Sequence, residues 1–130
     1  MIIDVCKEKV FIPEWNGNKE LPDDEQIKVT HRFLKPGEKK KYLYVEPIEY
    51  IYQSDGKVDQ RKTRFVQDEK NLALALVTKI ENYALRIDGK IVQIDSMQKL
   101  YDTPSASSKL AAEIEEYLLN CEPDIDTDPL

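Results

Sequence analysis

Apolar positions along this chain fall into two periods, and the switches between them outline a set of short strands and helices. Residues 2–12 alternate loosely around Val5, Val10, Phe11 and Ile12, which predicts a strand ending at Pro13. Trp15-Asn16-Gly17-Asn18 is turn chemistry, because Asn and Gly tolerate positive φ, and Leu21-Pro22-Asp23-Asp24 prolongs the loop. A second strand over residues 27–34 puts Ile27, Val29, His31 and Phe33 on one face.

The middle reads two ways. Pro36-Gly37-Glu38 ahead of KKKYLYV favours a short helix with Glu38 near its positive end, yet Tyr42 and Tyr44 also alternate as in a strand. The apolar runs around Ile48 and Phe65 bracket a polar stretch with Asp55-Gly56, which predicts a mobile hairpin or exposed loop. Asp68 is placed to cap a helix over residues 69–83, whose stripe of Leu72, Leu76, Ile80 and Tyr83 suits a core helix. Leu85, Ile87, Ile91 and Ile94 flank Asp88-Gly89, a strong hairpin signal. Ser96 opens a short helical turn. Thr103-Pro104 opens a last amphipathic helix over residues 104–120, with Leu110, Ile114, Tyr117 and Leu118 inward.

These elements predict an α+β domain over residues 1–120 in which the early strands and the 85–94 hairpin share one small antiparallel sheet packed by two main amphipathic helices. Leu76, Ile80, Ile87, Ile114 and Leu118 are the expected core. Residues 121–130, acidic and carrying two prolines, are expected to be a disordered tail.

Composition narrows the class. The 130 residues carry a net charge of −6, and no apolar run reaches the roughly 20 residues of a membrane span. The opening residues lack the pattern of a signal peptide, so a cytoplasmic setting is expected, with Cys6 and Cys121 as free thiols and Cys6 a buried small apolar residue. Charge is uneven: residues 28–64 hold ten Lys or Arg against five acids, while residues 111–130 hold seven acids and no base. Such a dipolar chain can pair head to tail with copies of itself or offer two unlike faces to partners, although a merely solvated surface is the commoner meaning of such runs.

Candidate chemistry is sparse. One His and two distant Cys do not make a zinc site, and His31 reads as a half-exposed structural imidazole. Asp124, Asp126 and Asp128 imitate the start of a calcium loop, but Pro129 stands where that loop turns on Gly. The chain has neither a Gly-x-Ser-x-Gly turn nor a Gly-rich phosphate loop, and Glu113 with Glu116 reads as a surface acid pair. Neither an enzyme nor a cofactor or metal is expected. The candidate residues for partner contact are Tyr42, Tyr44, Tyr50 and Tyr52 with Lys39, Lys40 and Lys41, together with Glu113 and Glu116. Tyrosines interleaved with bases are also the chemistry of single-strand nucleic-acid binders, but the acidic remainder weighs against that reading.

The phrases FIPEWNGNKELPDDEQIKV, LVTKIENYALRIDGKIVQID, SMQKLYD and LAAEIEEYLL, in this order over residues 10–120, resemble the tail-assembly chaperones of long-tailed bacteriophages and prophages. The resemblance implies a non-enzymatic protein of the bacterial host cytoplasm that binds the tape-measure protein, helps recruit tail-tube subunits and does not stay in the virion. It also implies that a translational frameshift can append a second domain. A head–tail connector or other phage structural protein is the alternative.

Overall fold

The computed structural model describes residues 1–52, 56–121 and 125–126, with the backbone alone at residues 50, 51, 58–61, 125 and 126. Its elements are β1 (Asp4–Val5), β2 (Glu8–Phe11), β3 (Lys28–Arg32), α1 (Lys39–Tyr42), β4 (Leu43–Tyr52), β5 (Val58–Gln67), α2 (Glu69–Leu76), β6 (Val77–Glu81), β7 (Ala84–Ile87), β8 (Lys90–Gln93), α3 (Met97–Asp102), α4 (Ser108–Leu119) and β9 (Ile125–Asp126), with 3₁₀ turns at Trp15–Glu20 and Pro36–Glu38. The fold is α+β with small antiparallel sheets. The chain separates into two compact units, the larger from Met1–Phe33 with Lys70–Leu130 and the smaller Leu34–Glu69.

In the larger unit β3 is the central strand of a three-stranded sheet, ordered β2-β3-β6 and antiparallel throughout. The residue pairs Phe11 with Val29 and Val29 with Ile80 lie on one face of it, and Val29 and Ile80 are buried there. Leu72, Ala73 and Leu76 of α2, Met97 and Leu100 of α3, and Leu110, Ala111, Ile114 and Leu118 of α4 are the helical part of the core. These residues recur at helical spacing, so each helix buries one stripe. The expected core positions Leu76, Ile80, Ile114 and Leu118 are buried; Ile87, on a two-stranded hairpin with few neighbours, is only half-buried.

Several expectations change. The helix foreseen over residues 69–83 stops at Leu76, and Val77-Thr78-Lys79-Ile80-Glu81 becomes the third strand, because a β-branched run meets the free edge of β3. Thr78 Oγ1 donates to the Thr30 carbonyl at 3.2 Å across that join. The β7–β8 hairpin forms its own two-stranded sheet rather than joining the early strands. Its turn follows the sequence: Asp88 (φ 50°) and Gly89 (φ 79°) both take the left-handed region that a two-residue hairpin loop demands. The last helix starts at Ser108, not Pro104. Ser107 Oγ accepts from the Leu110 N–H at 3.1 Å and is the cap, while Thr103-Pro104 lies in a turn containing Ser105 at φ 69°. Ser96 caps α3 as expected, accepting from the Lys99 N–H at 3.2 Å.

The strand foreseen over residues 2–12 is two short ones interrupted at Cys6-Lys7, and Cys6 is exposed rather than buried; neither Cys6 nor Cys121 is in a disulfide. Of residues 121–130, expected as a tail, Ile125–Asp126 form β9, which pairs with β1 through Val5 with Ile125 and Asp4 with Asp126; residues 122–124 and 127–130 lie outside the described residues.

The smaller unit is one long antiparallel ribbon, β4 with β5. Pro36 opens the 3₁₀ turn and α1 follows, so the KKKYLYV segment is helix first and strand afterwards. The Asp68 N–H donates to the Tyr42 carbonyl at 2.7 Å and closes the ribbon at its base. Of the two alternatives, hairpin or exposed loop, the antiparallel pairing of β4 with β5 agrees with the hairpin; Asp55 lies outside the described residues.

Candidate functional site

Two constellations stand out, one buried in the larger unit and one exposed on the smaller. The buried one centres on His31. Its inward register on β3 places it fully inside, at 0% exposure, where a half-exposed imidazole was expected. Nδ1 lies 2.9 Å from the Arg32 carbonyl, which can only accept, so Nδ1 carries the proton. Nε2 is then a lone-pair acceptor for the Tyr117 hydroxyl, also at 2.9 Å. The Cys121 thiol donates to the Tyr117 oxygen at 3.4 Å, with Sγ 3.9 Å from Nε2. Phe11 stacks on Tyr117 with ring centres 3.9 Å apart, and Phe33 meets His31 edge-on. Burial pushes the His31 pKa below the ordinary imidazole value, partly opposed by the Arg32 carbonyl. The neutral ring ties β3 to the end of α4; the sequence signal missed was Tyr117 in the last turn of α4 with Cys121 four residues on, just past its cap.

Asn18 is a second buried polar anchor that reads from sequence only as turn chemistry. Its Nδ2 donates to the carbonyls of Pro13 (2.9 Å) and Ile27 (3.0 Å), and its Oδ1 accepts from the Ile27 N–H (2.6 Å). Asn16 (φ 54°) and Gly17 (φ 71°) supply the left-handed backbone that aims it inward.

The exposed constellation is the β4–β5 ribbon. Val45 stands directly opposite Phe65, Leu43 opposite Gln67 and Pro47 opposite Thr63, and these six alternate positions share one uncharged face. Val45 and Phe65 are 59% and 61% exposed, and Ile48 at the register shift is 62% exposed. The other face carries Tyr44 opposite Val66 and Glu46 opposite Arg64, the latter an ion pair; Lys62 and Glu49 pair at 3.3 Å. A lone two-stranded ribbon with such a face is marginal in water unless something covers it.

The candidate contact residues distribute as follows. Tyr42 is half-buried at the end of α1, Tyr44 and Tyr52 are exposed on β4, and Tyr50 lies on β4 with its side chain outside the described set. Lys39, Lys40 and Lys41 are exposed on α1 at the ribbon's base. All of these therefore belong to one unit. Glu113 and Glu116 belong to α4 of the other unit. Glu113 is engaged internally: its two oxygens accept from the N–H groups of Glu14 (2.6 Å) and Trp15 (3.0 Å), fixing the start of the 3₁₀ turn. Glu116 is exposed. Val45 and Phe65, which sequence reading left out, are the larger apolar contribution; alternation around Pro47 and in TRFVQ was the available signal.

Among the described residues no group of three or more His, Cys, Asp or Glu could hold a metal ion, and no helix is long and apolar enough to cross a membrane. Comparison with protein-family models, with curated proteins and with solved structures finds no match.

Proposed function

We propose that the chain is a non-enzymatic contact protein of phage or prophage morphogenesis, a tail-assembly chaperone that shields a tape-measure protein and helps recruit tail-tube subunits in the host cytoplasm. The exposed uncharged face of the β4–β5 ribbon carries this reading. A protein that holds an aggregation-prone client needs apolar surface offered from an otherwise charged body, and Val45 with Phe65 on a chain of net charge −6 meets that need. The resemblance in chain order and phrasing supports the specific client.

Co-expression with a tape-measure protein is expected to raise that client's soluble yield and to give a complex on size-exclusion chromatography. Val45→Asp combined with Phe65→Asp should abolish both while leaving the larger unit folded by circular dichroism. Unchanged client solubility with no complex would count against the chaperone role. A head–tail connector is the second reading; it is favoured by a portal or capsid gene beside this one, whereas flanking genes for a tube protein and a very long tape-measure protein favour the chaperone.

A further inference from the structure

We propose that the uncharged face of the β4–β5 ribbon seats on the acidic larger unit of a second copy, giving head-to-tail self-association. This is the face that the client would also take, so self-association and client binding exclude each other there, and the test below reads self-association with no client present. Both ribbon edges are guarded against adding a strand. Pro47 removes one N–H from β4 and register shifts at Pro47/Glu49 and Ile51/Tyr52 break its regularity, while β5 carries Lys62 and Arg64. Among the described residues neither strand has a further strand beside it. What remains open is the face, so the partner is a layer laid on it rather than a strand added to it.

Charge selects which surface of which molecule supplies that layer. Leu34–Glu69 carries eight Lys or Arg against seven Asp or Glu, whereas the remainder of the chain carries eleven against eighteen. The bases Lys39, Lys40 and Lys41 stand together, exposed, at the base of the apolar face. Ribbon-on-ribbon packing would bring two lysine-bearing units together. Ribbon on larger unit brings bases to a surface with excess acid, and that unit also exposes apolar side chains of its own, Ile3, Val5 and Val10 among them. Such a contact joins unlike surfaces, so it repeats and builds rings or open chains instead of stopping at a dimer.

Sedimentation of the full chain over a dilution series tests this. We expect mass to rise above the 15.1 kDa monomer and beyond dimer with concentration, and to fall back at high salt. Carbodiimide coupling of a mixture of ¹⁴N- and ¹⁵N-labelled protein should give mixed-isotope peptides joining Lys39–Lys41 to carboxylates of the larger unit. Val45→Asp should yield monomer, and so should Lys39→Glu with Lys40→Glu and Lys41→Glu, a surface change that leaves the apolar face in place. A monomer at all concentrations, a species that stops at dimer with ribbon-to-ribbon links, or self-association unaffected by either variant would each overturn the proposal.

Discussion

At the scale of single residues, the buried polar groups define what this chain can tolerate. Removing the Asn18 amide leaves the Ile27 N–H and two carbonyls without their partners in a site that excludes water. Asn18→Ala is therefore expected to cost about 1–3 kcal/mol or more, read as a lower urea midpoint at unchanged slope. His31 gives a pH signature. Its pKa is lowered in the folded protein, chiefly by desolvation, so the unfolded chain takes up a proton first as pH falls. The stability held by the neutral ring is complete above about pH 6.5 and is lost as pH falls from there through the lower folded-state pKa. Because His31 is the sole histidine, urea midpoints should decline from neutral pH toward pH ~5.5 in the native chain and lose that decline in His31→Gln. An identical decline in the variant would remove His31 as its source.

At the scale of elements, legibility tracked how local the deciding interaction was. The Asp88-Gly89 turn and the Ser96 cap are settled within four residues, and both were readable. Gly89→Ala forces a Cβ onto a φ of 79° with no clash nearby, so the cost is purely conformational, about 1 kcal/mol, and should be seen as a modest loss of thermal stability. The end of α2 was not readable, because Leu72, Leu76, Ile80 and Tyr83 keep a helical period and are all buried while the backbone changes to strand at Val77. That switch is decided by pairing with β3, some fifty residues earlier in the chain, which no local window contains. The start of α4 failed for another reason. Two hydroxyls, Thr103 and Ser107, each precede a plausible first turn, and the Tyr83 hydroxyl accepting from the Ser107 N–H at 3.1 Å is a tertiary contact that favours the later one. Once placed, the helix carries the core: Ile114→Ala, at a fully buried position, should cost about 2–5 kcal/mol by chemical denaturation. For the candidate site, the tyrosine and lysine positions were legible as a local enrichment, but the apolar face was not, since it exists only in the register of β4 against β5.

At the scale of the whole molecule, the same ribbon has to be weighed against a strand of nucleic acid. Exposed Tyr44 and Tyr52 offer stacking surfaces, and Lys39 to Lys41 offer phosphate contacts. Two observations oppose this. Lys62 and Arg64 are already committed to Glu49 and Glu46 within the ribbon, so a phosphate would have to displace a carboxylate at each. The molecule as a whole carries −6, and a polyanion approaching Lys39, Lys40 and Lys41 meets that field at the separations where screening is incomplete. Counterion release from the contacts that Lys39, Lys40 and Lys41 alone would make is a small driving force compared with the roughly six to ten phosphate contacts of a dedicated binder. Fluorescence anisotropy with a short labelled single-stranded oligonucleotide should accordingly show no association tighter than roughly 10⁻⁴ M at physiological salt. Micromolar binding that weakens steeply with salt and vanishes in the Lys39→Glu, Lys40→Glu, Lys41→Glu variant would reverse the ranking, making the ribbon a nucleic-acid platform and leaving the chaperone reading without its site.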